Sequence, residues 1–307
     1  VKTYEILDKG TGETIGLFYA NYYAAPGAKH GGAWMNAIRH RGIHNGHDEI
    51  PIVTNDCNYP KPVDGKPVLL SLDQVTTIYH EFGHGMHALR AKGKYPSLNG
   101  TNVKWDWVEL PSQLQENWVR QKEVLDTFAR HAETGNPLPQ DLLQKLEDMR
   151  NFDSGPAGLR QTMLGMLDMK WYTTDPKEIT SVENLEDSIF DIASLMPRGA
   201  GTFSGRFDHL FGGGYDAGYY SYKWAEVLEA DIFERFMEKG LYDKETIRSV
   251  LENIYEAGGK TDPAELFRKV MGRDPNPEAM FRREGILTAS VKKPPSTAAN
   301  SAPNPQL

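Results

Sequence analysis

The stretch from Ser71 to Arg90 constrains the chain most, because it combines a helical pattern with a chemically specific one. Ser71, followed three residues later by Gln74, forms a capping-box pattern that predicts where a helix begins. Apolar side chains then recur at the spacing of one helix face, and they are Val75, Ile78, Phe82, Met86 and Leu89. The same helix carries the pattern H-E-x-x-H at residues 80–84.

Two histidines of this pattern can share a metal ion. At 3.6 residues per turn, His80 and His84 stand one above the other on one helix face. Glu81 lies a step round the helix, beside the coordination position that a catalytic zinc leaves open, where a general base for the activated water is needed. The pattern therefore predicts a catalytic metal site in which Glu81 is the base.

A solvated helix face rich in histidine is the alternative interpretation. It gives no reason for Gly83 and Gly85, which each cost about 1 kcal/mol relative to Ala inside a helix. Such glycines are tolerated where another part of the protein packs close to the backbone. His87 shares the face of His84, and it could support the site or simply be packed or solvated.

The third metal ligand is left open by spacing alone. A catalytic zinc usually takes three protein ligands and one water. The extended pattern with a further histidine fails, because that position is Arg90. Glu109 and Glu116 on the following predicted helix are both candidates, and Asp106 with Glu109 also fits a helix start, which would give Glu109 a capping role.

The chain changes from a β-type to an α-type pattern near Ser71. Before it, short β-branched or aromatic runs at 2–8, 14–23, 50–56 and 67–70 predict a small antiparallel sheet. After it, we expect a mainly α protein, with helices at about 106–131, 139–151, 156–171, 181–195, 217–239, 243–256 and 263–271. Residues 291–307 lack apolar periodicity and predict a disordered tail.

Composition excludes several classes of function. The 307 residues are 39% hydrophobic, which is enough for a sizeable core, and the formal net charge of −8 argues against a nucleic-acid partner. Cys57 is the single cysteine, so no intrachain disulfide can form. No run approaches the roughly 18 consecutive apolar residues of a membrane span. We expect a cytoplasmic protein, with the periplasm as the alternative.

Three stretches together resemble a known family. "HEFGHGMH", "SLNGTNVKWDWVELPSQLQENW" and "FDHLFGGGYDAGYYSYKWAEVLEADIF" are similar, in order and spacing, to the zinc metallopeptidases of the thimet oligopeptidase family, which includes oligopeptidase A and dipeptidyl carboxypeptidase. The similarity runs from about residue 3 to residue 287. It implies a multi-helix zincin-type catalytic domain over residues 1–290.

The resemblance also implies roles for individual residues. It makes His80, His84 and Glu109 the ligands of one Zn²⁺ per chain, since Glu109 stands at the family's ligand position before Pro-Ser-Gln, and it makes Glu81 the general base. The remaining implied residues act on the substrate or its transition state, and they are His209, Tyr215, Tyr219, Tyr222 and the glycines Gly212, Gly213 and Gly214. From spacing alone, Tyr219 and Tyr222 would be core aromatics.

The function that the resemblance implies is hydrolysis of peptide bonds in short peptides, as in oligopeptidase A. The alternative is a dipeptidyl carboxypeptidase, which releases dipeptides from carboxyl ends. Hypotheses of another class are a zinc-bearing peptide-binding fragment without turnover and a purely structural zinc. Family members carry a long amino-terminal helical region that forms the other wall of the substrate channel, so we expect such a region or a second chain to complete it here.

Overall fold

The computed structural model describes residues 1–196 and 199–287. The strands are β1 (Lys2–Leu7), β2 (Thr14–Tyr23), β3 (Trp34–Arg39), β4 (Gly42–His44), β5 (His47–Glu49) and β6 (Ile52–Tyr59). The α-helices are α1 (Leu72–Leu89), α2 (Trp105–Val108), α3 (Leu110–Glu116), α4 (Lys122–Phe128), α5 (Gln140–Asp148), α6 (Ser154–Thr173), α7 (Val182–Ala193), α8 (Ser221–Lys239), α9 (Lys244–Val250), α10 (Pro263–Met271) and α11 (Glu278–Arg283). The predicted tail at 291–307 lies outside the described residues.

The main sheet is mixed, whereas the pattern predicted an antiparallel one. Its strand order is β1-β2-β6-β3, with β1–β2 and β3–β6 antiparallel but β2–β6 parallel. The excursion through β3, β4 and β5 separates β2 from β6 and gives the chain the length that a parallel return needs. Strands β3 to β5 were not predicted, and the run at 67–70 forms no strand.

Helix α1 packs on this sheet and begins where the capping box predicted. The Ser71 hydroxyl accepts the Gln74 N–H at 3.2 Å, and the Gln74 side chain accepts the Ser71 N–H at 3.0 Å. Phe18 of β2 meets Phe82 edge to face, with ring centroids 5.3 Å apart. Val53 and Leu89 are fully buried in the same cluster. The sheet therefore supports the helix that carries both histidines.

Among the described residues, the remaining helices form three further apolar clusters, the smallest of which joins α8 to α11 through Ala230, Ala279 and Met280. Side chains of α2, α3, α8, α9 and α10 make the largest one, whose centre includes Leu110, Leu114, Ile232 and Phe267. A second cluster lies between α6 and α7, and the Gly-rich segment (residues 199–220) contributes Phe207, Leu210 and Tyr219 to it. In the part of the chain that the structure describes, no helix has the length and apolarity of a membrane span.

Two predicted helix boundaries were wrong for identifiable reasons. The region 106–131 is not one helix but α2, α3, a 3₁₀ turn (Asn117–Arg120) and α4. Pro111 has no N–H to continue the bonding of α2, so a new helix starts beside it. Helix α8 begins at Ser221 rather than near 217, because Ala217 has a φ of 55°, in the left-handed region. Helix α11 was not predicted.

The two glycines of α1 differ in what lies beside them. A Cβ on Gly83 would lie 2.6 Å from the Ser112 Cα and 2.7 Å from the Pro111 carbonyl oxygen of α3. A Cβ on Gly85 would lie no closer than 3.5 Å to its neighbours, which is ordinary contact. The expected close packing is therefore confirmed for Gly83 and wrong for Gly85. Helices α1 and α3 meet at backbone distance through the first glycine.

The glycine pair gives a matched test of this contact. Gly83→Ala should lower the free energy of unfolding by about 1–3 kcal/mol, because the added methyl overpacks a backbone contact. Gly85→Ala should leave stability unchanged or raise it by up to about 1 kcal/mol through helix propensity. Urea unfolding of the metal-free protein measures both. Equal effects of the two substitutions would contradict the close contact.

Candidate metal centre

Three side chains from two elements converge on one point. His80 and His84 of α1 each bring Nε2 to 3.2 Å from the same atom, Glu109 Oε2. The three donor atoms all lie within 4.8 Å of one another. Donors at about 2.0–2.1 Å from a tetrahedral ion stand about 3.3 Å apart, so this arrangement is the right size for one. The donor set therefore fits a metal ion.

Glu109 is held in place by two hydroxyl groups. Its side chain is buried, the Ser112 hydroxyl donates to Oε2 at 2.8 Å, and the Tyr215 hydroxyl donates to Oε1. Burial alone would raise the pKa of Glu109, but the charge of His84 and the hydrogen bonds of both histidines lower it well below its ordinary value. Glu109 occupies the N-cap position of α3, yet its side chain makes no capping hydrogen bond.

Glu116, the other candidate ligand, binds the opposite side of His80. Its Oε1 lies 2.6 Å from His80 Nδ1, while Nε2 of the same ring faces Glu109. Carboxylates that bind the outer nitrogen of a metal-ligating histidine fix the ring's orientation and tautomer. The geometry thus favours Glu109 for the metal and Glu116 for orienting His80, a choice that residue spacing had left open.

Glu81 lies beside the cluster in a dry environment. It is only 5% exposed, although it is a carboxylate. Burial raises the pKa of Glu81, and the nearby charges of His80 and His84 oppose that rise. A carboxylate with a raised pKa is better matched to proton transfer near neutral pH. Its position and environment therefore suit a general base.

The segment after the Gly-rich loop brings aromatic hydroxyls to the same site. The rings of Tyr215 and Tyr222 stack with centroids 5.0 Å apart and an interplanar angle of 15°. The Tyr222 hydroxyl lies 3.3 Å from His209 Nε2, and Gln113 of α3 donates to the Tyr222 carbonyl at 3.1 Å. Since Tyr215 reaches Glu109, three of the predicted substrate residues adjoin the candidate metal ligands.

Tyr219 and the glycines at 212–214 stand apart from the ligands. Tyr219 is 8% exposed, and its hydroxyl donates to Gln161 at 3.0 Å, as befits a packed aromatic. Gly213 and Gly214 have φ values of 73° and 81°, and a Cβ on Gly214 would lie 3.0 Å from Trp105. These glycines serve the turn in the structure, and their predicted contact with substrate stays a prediction.

Two buried carboxylates that the sequence reasoning missed hold this segment. Asp168 of α6 accepts the N–H groups of Ala217 and Tyr219, each at 3.0 Å. Glu186 of α7 accepts the N–H groups of Phe203 and Ser204 at distances of 2.6–2.9 Å. Both carboxylates are fully buried. The sequence feature that could have identified them is an acidic residue on the apolar face of a predicted helix.

His87 belongs to the core and not to the metal centre. Its side chain is fully buried, and its ring packs against Tyr255 with centroids 6.4 Å apart. Neither ring nitrogen has a hydrogen-bond partner among residues 1–196 and 199–287. Burial lowers the pKa of His87 to about 3, so the ring is neutral. The packed interpretation of His87 is the one that the structure supports.

The fold and the site define a class. A helix with two histidines and a buried glutamate, joined by a carboxylate from a neighbouring helix on a mainly α scaffold, is the arrangement of a zincin-type metallopeptidase. Residues 1–286 match Peptidase family M3, and the chain belongs to that family. The class predicted from the three sequence stretches is thereby confirmed.

Individual relatives agree with this assignment. The chain is 39% identical over 290 residues to oligopeptidase A of Escherichia coli (strain K12), a match that covers 93% of this chain and 42% of the relative. It is 35% identical over 292 residues to dipeptidyl carboxypeptidase of Salmonella typhimurium, with coverage of 93% and 42%. The chain thus spans less than half the length of these relatives.

A solved structure supports the fold alone. The M32 carboxypeptidase from Deinococcus radiodurans R1 superimposes with a TM-score of 0.53 at 15% sequence identity. The superposition covers 83% of this chain and 53% of that protein. At this identity, the likeness concerns the architecture of the helices and sheet and carries no residue roles.

The role of Glu116 can be tested through metal affinity. Glu116→Ala should weaken binding of a divalent metal ion about 10- to 100-fold, because His80 loses the partner that orients its ring. Glu123→Ala removes an exposed carboxylate of α4 and serves as the control. Competition with a chromophoric chelator measures both affinities. An unchanged affinity in Glu116→Ala would contradict an orienting role.

Proposed function

We propose that the protein is a zinc-dependent metallopeptidase that hydrolyses peptide bonds in short peptides. One observation carries the proposal: both histidine Nε2 atoms of α1 lie 3.2 Å from one buried oxygen of Glu109, with Glu81 buried next to them. Membership of Peptidase family M3 supports the same reaction class. We further propose residues 1–290 as its catalytic domain.

Zinc is the metal that the donor set favours. Two imidazole nitrogens and one carboxylate oxygen, with a position left for water, form a ligand set known from catalytic zinc sites. Bound zinc would supply a Lewis acid that lowers the pKa of water from about 15.7 toward about 7 and polarises the scissile carbonyl. His80, His84 and Glu109 would hold it.

Glu81 performs the proton transfers in this proposal. Its carboxylate takes the proton of the attacking water as the oxygen–carbon bond forms at the scissile carbonyl. The same group then gives that proton to the nitrogen of the leaving amine as the carbon–nitrogen bond breaks. The burial of Glu81 supports the first step, because a carboxylate that is less stabilised by water accepts a proton more readily.

Tyr222 and His209 would stabilise the negative charge that develops on the carbonyl oxygen. Burial raises the pKa of Tyr222 far above its ordinary value, so the hydroxyl keeps its proton and remains a donor. Its contact with His209 Nε2, at 3.3 Å, fixes the position of the hydroxyl. Removing one such donor costs about 3–4 kcal/mol in comparable sites. Tyr215 would bind substrate from its position on Glu109.

A cleft beside the site has room for a short peptide. Its volume is about 690 Å³, within the usual range for ligand pockets, and its walls include Gln113, Glu116, His209, Tyr219 and Tyr222.

Mass spectrometry of products from peptides of mixed length distinguishes the candidate activities. Internal cuts support an oligopeptidase, stepwise release of carboxyl-terminal dipeptides supports a dipeptidyl carboxypeptidase, and zinc binding without products supports a binding fragment.

Glu81→Gln should retain zinc but lose more than about a hundredfold in turnover, because the amide cannot accept the proton of the attacking water. Zinc content by atomic absorption and kcat on a fluorogenic peptide measure the two properties. Glu123→Gln is the control for loss of one negative charge. Turnover retained in Glu81→Gln would contradict the assignment of Glu81 as the general base.

Tyr222→Phe should lower kcat more than it raises KM, since the hydroxyl contacts the oxygen only when charge develops there. Tyr220→Phe is a matched control on the neighbouring turn, where the tyrosine is 49% exposed. Steady-state kinetics of both variants provide the comparison. An effect of Tyr222→Phe on KM alone speaks against the transition-state role.

A further inference from the structure

The wall of the cleft remote from the histidines carries several charges that are already paired. Lys223 contacts Glu226 at 2.8 Å and Glu284 at 2.5 Å. Arg283 of α11 reaches the buried carboxylate of Glu229 and lies 3.4 Å from Glu226. Glu116, on the metal side, is taken by His80. The carboxylates of Glu226, Glu229 and Glu284 are therefore engaged by cations of the protein, and that of Glu116 by the His80 ring.

Two arginines on the same cleft are less fully paired: one has no ion pair among the described residues, and the other has a long contact with a partly exposed carboxylate. Arg120, at the end of the 3₁₀ turn after α3, is half-buried and has no ion pair or side-chain hydrogen bond within the described ranges 1–196 and 199–287. Arg150, just after α5, is half-buried, and its ion pair among the described residues is a 3.7 Å contact with Glu147, whose side chain is 45% exposed. Asp153 is the remaining acidic side chain of the lining, and it is exposed.

The arginines lie close enough to repel one another. Burial lowers the pKa of Arg150, and the positive charges of Arg283 and Arg120 add to the lowering, while the carboxylates of Glu147 and Glu229 oppose it. Arg120 and Arg150 thus line one cleft with Arg283, which is already paired with Glu229, in a chain whose formal net charge is −8. Such a cluster is stabilised when an anion enters, because the incoming charge removes the repulsion.

We propose that Arg120 and Arg150 form a carboxylate-binding site for the peptide, in the cleft beside the candidate metal centre. Planar guanidinium groups match a carboxylate through two parallel hydrogen bonds, which makes arginine suited to this ligand. The inference rests on the proposed peptidase function, because it names how the peptide of that reaction is held. The carboxylate is either the free carboxyl terminus or an acidic side chain.

The anchor acts on where the peptide is cut. His209 and Tyr222 line the cleft together with Arg120 and Arg150, so a peptide held by its carboxylate extends toward the candidate metal ligands. Fixing one end limits which peptide bond reaches Glu81. A carboxyl-terminal anchor selects a bond at a set distance from that end, whereas an acidic-side-chain anchor selects by sequence.

Binding can be measured without turnover in zinc-loaded Glu81→Gln protein. Three fluorescently labelled peptides of one length serve as probes. The first has no charged side chains and a free carboxyl terminus, the second is its carboxyl-terminal amide, and the third is that amide with one internal Glu. We expect the free acid or the Glu peptide to bind at least tenfold more tightly than the neutral amide. Whichever of the two shows the gain identifies the source of the carboxylate.

Charge-removing variants connect that preference to the arginines. Arg120→Gln and Arg150→Gln, singly and together, should reduce the acid preference, which is the ratio of the affinity for the acidic peptide to that for the neutral amide, toward one. Lys145→Gln, on exposed α5 surface near Arg150 in sequence, is the matched control and should keep the preference. Circular dichroism and thermal unfolding establish that each variant is folded. Loss of preference in the control as well would contradict a specific site.

The remaining outcomes separate this inference from the proposed function. Equal affinity for all three peptides, or no binding of any, overturns the arginine site. An acid preference that depends on the arginines, in a wild-type protein that cuts none of the peptides, supports the site and contradicts the peptidase proposal. Cleavage by the wild-type protein without any acid preference supports the peptidase proposal and overturns the arginine site.

Discussion

The close contact of α1 with α3 is the constraint on which the candidate site depends. Gly83 lets the backbones meet, because any Cβ there would lie within 2.6 Å of Ser112. That contact sets how far Glu109 stands from the two histidines, and donors of a metal site tolerate errors of only a few tenths of an ångström. Ser112 serves twice, since its backbone touches the glycine and its hydroxyl holds Glu109. Packing and ligand geometry are therefore fixed by the same pair of turns.

A second level of organisation holds the tyrosines against this framework. The Gly-rich segment has little regular structure of its own, so its order comes from outside it. Asp168 and Glu186 each accept two N–H groups from the segment while fully buried, where unmet acceptors would be costly. Anchoring at two points leaves the intervening turn with limited freedom. Tyr215 thereby stays on Glu109, and Tyr222 stays stacked on Tyr215.

The sequence predicted the features that depend on local spacing and missed those that depend on tertiary contacts. Helix α1, its capping box and the pairing of His80 with His84 follow from periodicity, which is local. The choice between Glu109 and Glu116 needed family resemblance or coordinates, because both lie close to α1 and each contacts His80. The parallel β2–β6 pairing depends on where a long excursion returns, and spacing carries no such information. The role of Asp168 depends likewise on tertiary contacts, because the N–H groups that it accepts come from residues about 50 positions along the chain.

The distribution of charge around the cleft separates two tasks that need opposite surroundings. Near α1, the carboxylates of Glu81, Glu109 and Glu116 lie around His80 and His84, which suits holding a metal ion and moving a proton. Toward α5 and α11, guanidinium groups gather beside carboxylates that other side chains already neutralise. In the proposed complex, the anionic end of a peptide would lie at the guanidinium groups rather than at the carboxylates, which would favour one orientation of the peptide over the reverse. Orientation would then be fixed by electrostatics before any contact with Tyr222 is made.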